Sequence, residues 1–204
     1  MKTFFLNPAD KSSQRRVLAE ILSIISESSA TLRIAIAYFT HPEIAKALIR
    51  RIQSERDTKL IINASDILRP AQPNETEIVI SKNLLDVLRQ NIVPRTLGNR
   101  SVSEYQNMHH KFMVSENKVL FGSLNWTVAA LNNNYECVAI SSESEVIELF
   151  TKEFEKIWAQ AEELYIIYGK VRMIMCPICK SMDGVDFESW GPFCIYCGHK
   201  FKVV

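Results

Sequence analysis

The chain has 204 residues, with 24 Lys and Arg against 23 Asp and Glu, a formal net charge of +1 at pH 7. At 47% hydrophobic and 23% charged, it is built like a packed domain with a small appendage, which argues against disorder, a collagen-like repeat or a polybasic tail. So even a balance places any attraction for phosphates in a local patch and not in the field of the whole molecule.

Near the start, Phe4, Phe5 and Leu6 form an apolar run too short for a secretory signal. No stretch reaches the ~18 apolar residues of a membrane span, so a cytoplasmic protein is expected. Over residues 12–29, Val17, Leu18, Ile21, Leu22 and Ile25 share one helical stripe, and residues 32–38 follow as an apolar strand. Helical spacing returns over 41–55 through Ile44, Ala47, Leu48 and Ile52, with Thr40 as the expected N-cap and Pro42 in the first turn. Residues 59–63 read as another buried strand, 65–77 as a loop containing Pro70 and Pro73, and 81–90 as a helix through Leu84, Leu85 and Leu88. The stretch 91–107 is polar and reads as irregular. Short strands are expected over 111–114 and 118–121, about the polar step Ser115, Glu116, Asn117, and again over 135–140. A helix from 143 to about 165 places Ile147, Phe150, Phe154, Ile157, Ala161 and Leu164 on a stripe that reads as core. Alternating helices and strands predict an α/β class, a mixed sheet flanked by helices. The expected division is a domain over 1–167 and a Cys-rich unit over 168–204, with 166–171 as the linker.

Chemistry concentrates in residues 108–127. In an extended strand His109 and Lys111 point to one face and His110 to the other, because side chains alternate. Gly122, Ser123 and Asn125 fall where the return strand gives way to the next element, so their hydroxyl, amide and backbone N–H groups can converge on the same phosphate oxygens. His110 and His41 read more simply, the first as a packing or surface residue and the second as a capping or surface residue. Arg95 and Arg100, just upstream, are candidates for gripping a substrate backbone.

These residues resemble the phospholipase D superfamily, whose signature is H-x-K, four residues and Asp, then G-S-x-N. His109-x-Lys111, four residues, Glu116, then Gly122-Ser123-x-Asn125 follow that order, and Asn125-Trp126-Thr127 strengthens it. Residues 34–51 resemble the upstream strand, turn and helix, and Glu136 falls where many members carry an acid that orients the catalytic His. Two positions depart from the pattern: Glu116 replaces the Asp, and five residues separate it from Gly122 where six are usual. A turn can absorb the missing residue; with the gap placed before Ser115, that hydroxyl takes the Asp position instead.

The resemblance implies phosphodiester transfer in two steps through a phosphohistidine, with a second His as acid and then base. It assigns the nonbridging oxygens to Lys111, Ser123 and Asn125, the orienting of His109 to Glu136, and structural support to Glu116, with no metal required for the chemistry. One motif per chain against two His in the mechanism implies a homodimer sharing one site. Small single-motif members of the family point to an endonuclease on DNA or RNA, alone or within a larger complex. The alternatives are a phospholipid hydrolase of cardiolipin type and a catalytically degenerate protein that binds nucleic acid or a partner.

Cys137 stands alone, whereas Cys176, Cys179, Cys194 and Cys197 form two C-x-x-C pairs separated by residues 180–193. Four thiols so spaced favour a closed tetrahedral zinc site and resemble a zinc ribbon, with a redox pair as the weaker reading. Metal binding would supply much of the folding free energy of so short a unit. Its Lys200, Lys202, Trp190 and Tyr196 suit contact with nucleic acid, and docking on its own protein or on a partner is the other reading.

Overall fold

A computed structural model describes residues 1–63, 87, 90, 94–100, 105–163, 185–188 and 191–194. The chain divides into two compact units, Met1–Glu163 and Leu164–Val204.

The centre of the first unit is β2 (Thr31–Ile36), where Leu32, Ile34, Ala35 and Ile36 are all 0% exposed. A strand covered on both faces needs apolar side chains at consecutive positions, which is why Ile34, Ala35 and Ile36 follow one another directly after Arg33. Parallel to it lies β3 (Asp57–Asn63), reached through the crossover helix α2 (Pro42–Gln53). On the other side β6 (Lys111–Ser115) is antiparallel to β2, pairing Ile36 with Lys111 and Ile34 with Met113. The antiparallel series continues through β7 (Val119–Gly122) and β8 (Glu136–Ser141) to the edge strand β1 (Lys2–Leu6). Beyond β3 come β4 (Arg95–Arg100), parallel to it, and then β5 (Tyr105–Asn107). The order is β1-β8-β7-β6-β2-β3-β4-β5, and β9 (Glu162–Glu163) also pairs with β4.

Helices cover both faces. Ala35, Ile61, Phe112, Val114 and Val119 pack beneath the long helix α4 (Ser144–Gln160), which inserts Phe154 and Ile157. The other face is covered by α2 and by α1 (Lys11–Glu27), whose buried stripes are Ile44, Leu48 and Ile52, and Val17, Ile21, Ile24 and Ile25. A short helix, α3 (Val128–Asn133), joins β7 to β8; Thr127 caps it by accepting from the Ala130 N–H at 3.0 Å.

Several expectations need correction. The stretch 91–107 holds β4 and β5, strands without apolar alternation that are held by backbone pairing at the sheet margin. Residues 4–6 belong to β1, and α3 was not anticipated. The last helix stops at Gln160 because residues 162–163 pair with Arg95 and Thr96, a tertiary contact that overrides the helical propensity of the segment. The N-cap position of α2 is His41, not Thr40, whose N–H instead donates to the Trp126 carbonyl at 2.8 Å. The loop expected over 65–77 lies outside the described residues, as do the linker and nearly all of the helix expected over 81–90.

In the second unit, β10 (Val185–Glu188) and β11 (Gly191–Cys194) form an antiparallel pair in which Val185 opposes Cys194. Cys176, Cys179 and Cys197 lie outside the described residues, as does the Cys194 side chain.

Candidate active site

Ligand sites in sheets of this kind form beyond the carboxyl ends of the parallel strands. That edge is where β2 and β3 end, β6 and β8 begin, and β7 ends. His109, Lys111, Ser123, Asn125 and Glu136 therefore all fall on one edge of the sheet. Lys111 is the first residue of β6 and only 9% exposed; its Nζ donates to the His109 carbonyl at 2.8 Å, bracing the backbone that carries the imidazole. His109 is exposed. His110 turns to the α4 side, where its ring meets Phe112 edge-on at 5.6 Å and its Nε2 lies 3.6 Å from Glu153.

The second half of the motif is held by β8. Ser123 N–H donates to the Cys137 carbonyl at 2.9 Å, and Cys137 N–H donates to Ser123 Oγ at 3.0 Å. Gly122 makes this approach possible: its φ is +153°, and a Cβ there would lie 2.0 Å from the Cys137 oxygen. Ser123 Oγ in turn donates to Glu136, whose other oxygen accepts from Asn134 Nδ2 at 3.1 Å. The carboxylate expected to accept from His109 thus holds Ser123 instead, and among the described residues no hydrogen bond joins Glu136 to His109. Asn125 is half-buried, and its Oδ1 finds no partner among the described residues, an acceptor left over at the site.

The turn after β2 locks onto this segment. Trp126 N–H donates to Tyr38 at 2.9 Å, its carbonyl accepts from Thr40 and His41, and its ring meets Phe39 edge-on at 5.4 Å. His41, anticipated as a capping or surface residue, makes no side-chain capping bond and is only 4% exposed, with no partner for its Nδ1 among the described residues. Burial lowers its pKa below the usual imidazole value, against the opposing pull of Glu43.

Glu116 lies at the other end of β6. Ser115 N–H donates to the Lys118 carbonyl at 2.8 Å, closing a tight turn that keeps Val114 opposite Val119, and Ser115 Oγ accepts from Asn117 and Lys118 within it. From this turn the Glu116 carboxylate accepts the backbone N–H groups of Ser29, Ala30 and Thr31 at 2.6, 3.2 and 3.2 Å. Of the two candidates for the motif's acidic position, Glu116 is the one that ties the hairpin to the start of β2, while Ser115 serves only its own turn. Burial, the largest single influence, raises the Glu116 pKa, but the surrounding N–H donors and the Ser29 hydroxyl together bring it down to about 2.

Arg95 donates from Nη1 to the Trp158 carbonyl at 2.7 Å and lies 4.4 Å over the Trp158 ring, fastening β4 to the end of α4. The Arg100 side chain lies outside what is described. A residue that sequence reasoning missed is Asn63, only 1% exposed at the end of β3: its Oδ1 accepts from the Met108 N–H at 3.3 Å, fixing the chain just before His109. The available signal was an amide ending an apolar strand, where a buried polar group needs a partner.

A family model described as cardiolipin synthase, PLD-like domain, matches residues 21–158. The mitochondrial cardiolipin hydrolase of Canis lupus familiaris is 29% identical over 155 residues, covering 75% of this chain and 53% of that protein. That of Mus musculus is 28% identical over 155 residues, covering 75% of this chain and 61% of that protein. The chain thus spans little more than half the length of these curated relatives. Among solved structures, NucT from Helicobacter pylori superposes with a TM-score of 0.65 at 22% identity, covering 80% of this chain and 98% of that one. Nuc from Salmonella typhimurium, a phospholipase D family member, gives 0.60 at 20% identity, covering 81% and 97%. These two likenesses are of fold.

Proposed function

The chain belongs to the phospholipase D-like family, and from that membership we propose that it is a nuclease cleaving DNA or RNA at a site shared by two copies. The observation that carries the reading is the edge where Lys111 braces His109 while Glu136 and Cys137 fix Ser123. An imidazole nitrogen of His109 attacks phosphorus, forming a P–N bond as the P–O ester bond breaks. His109 of the partner subunit gives its proton to the leaving oxygen. Water then attacks phosphorus, the P–N bond breaks, and the partner's imidazole takes the water proton. Lys111, Ser123 and Asn125 stabilise the nonbridging oxygens, Asn125 through its amide N–H and Ser123 through a hydroxyl whose hydrogen bond to Glu136 sets its direction. No step calls for a metal.

We assign Cys176, Cys179, Cys194 and Cys197 to a structural zinc ion in the second unit. Four thiols are a fitting donor set for it, and a strand pair ending on Cys194 fits such a unit.

A second reading has specific support. The curated relatives are named as cardiolipin hydrolases, and Phe5 on β1 and Tyr135 just before β8, 73% and 78% exposed, offer apolar contacts to a lipid surface. One experiment separates the two. Purified protein is given single-stranded and double-stranded DNA, RNA, cardiolipin vesicles and bis(4-nitrophenyl) phosphate without added divalent metal. Cleavage of nucleic acid with cardiolipin untouched is expected; the reverse pattern would establish the lipid hydrolase. Chelation is expected to release zinc and to spare hydrolysis of the small diester.

A further inference from the structure

At the pole away from His109, the C-terminal halves of α1 and α2 form an open cleft of about 370 Å³ in which Arg50, Arg51, Arg56 and three serines stand beside Leu22, Ile25 and Ala47, with no carboxylate in its lining. Arg51, 3% exposed, donates to the carbonyls of Ile25, Ser28, Ala30 and Asp57 and to the Thr58 hydroxyl, so it neutralises the negative end of α1 and forms a fixed cationic floor. Arg56 is tethered by one nitrogen to the Ser26 carbonyl at 2.8 Å, and its remaining donors are exposed at the rim. Arg50 and, one turn earlier on α2, Lys46 are exposed and take part in no ion pair among the described residues. The nearby acids of α1 are already engaged, Glu27 with Lys118 and Ser23, and Glu20 with Lys2. Burial, and next the neighbouring Arg56, lower the Arg51 pKa, while the Glu116 and Asp57 carboxylates pull it the other way. By contrast α4, on the opposite face, carries Glu145, Glu148, Glu153 and Glu155 against Lys152 and Lys156. Within an overall charge of +1, α1 and α2 together carry more Lys and Arg than Glu, and α4 carries more Glu than Lys.

We propose that the α1–α2 cleft is a second phosphate-binding site that grips the backbone of a single-stranded nucleic-acid substrate, with the strand passing Lys46 on its way from His109. This rests on the nuclease reading. The six-residue β2, about 20 Å long, runs between the two ends of the sheet at which the sites lie, a distance that a strand of a few nucleotides covers. Arginine suits this role, since its planar fork binds phosphate oxygens in pairs.

The test is fluorescence anisotropy with a labelled oligothymidylate over a range of salt, beside hydrolysis of the same oligonucleotide and of bis(4-nitrophenyl) phosphate. The full chain is compared with Arg50→Glu/Arg56→Glu, with Arg50→Ala/Arg56→Ala in case charge reversal impairs folding, and with Lys152→Glu/Lys156→Glu on the acidic face. Loss of two phosphate contacts is expected to weaken oligonucleotide binding by about tenfold or more and to flatten the log–log salt slope by about 1.4. The KM for the oligonucleotide should rise, while turnover of the small diester and of the α4 variant stays at the wild-type level. Equal weakening by the two charge-reversed variants, or no weakening by the arginine variants, overturns the site while leaving the nuclease reading intact. A wild-type protein that cleaves no nucleic acid overturns both. Arginine-dependent binding of cardiolipin vesicles without binding of the oligonucleotide assigns the cleft to a lipid surface and overturns the proposal.

Discussion

Glu116 and His109 lie at opposite ends of β6, and the Glu116 carboxylate ties the hairpin to the start of β2, away from the proposed chemistry. Its low pKa is a statement about stability. The folded state holds the charged form more strongly than the unfolded chain does, so the stabilisation is complete above the unfolded value of 4.5 and is lost as pH falls from there towards about 2. Discounted for solvent screening of a partly exposed group, the contribution is about 1–2 kcal/mol. Glu116→Gln is therefore expected to lower unfolding stability by about that amount at neutral pH, with the gap from wild type closing across this acid window, as urea titrations at several pH values would measure. Its kcat should remain near wild type. A collapse of kcat at unchanged stability would place the carboxylate in the chemistry.

Among the described residues, the elements with a long apolar period are the ones anticipated, and those whose pattern is short or polar are the ones missed. In α4, Phe154 is 0% exposed, with ring contacts to Phe112 and Trp158 at 6.5 and 5.6 Å. Phe154→Ala is expected to cost about 3–5 kcal/mol, read by thermal or denaturant unfolding, and a loss below about 1 kcal/mol would contradict its place at the centre of this layer. The stripes of α1, α2 and α4 and the runs of β2 and β3 were legible because their periodicity records burial directly. β4 and β5 were not, since their stability comes from backbone pairing with β3 and with each other, and neither of these leaves an apolar signature. The site divides in the same way. His109, Lys111, Ser123 and Asn125 were readable because the motif is local. The bond from Ser123 to Glu136, the hold of Asn63 on Met108 and the burial of His41 were not, because each depends on which strand lies next to which.

At the scale of the whole molecule, the sheet gathers at one edge a motif that supplies a single His109 per chain, and its two helical layers carry opposite charge. In the proposed assembly a second copy completes the site, and the substrate lies along the cationic helical layer. The most direct measurement is to quench the enzyme during turnover at alkaline pH, where a phosphohistidine survives, and to map the adduct by mass spectrometry. The account predicts a phosphoryl group on His109 that appears and decays with product formation and is absent, along with turnover, from His109→Ala. Undiminished turnover by that variant, or an adduct on any other residue, would contradict it.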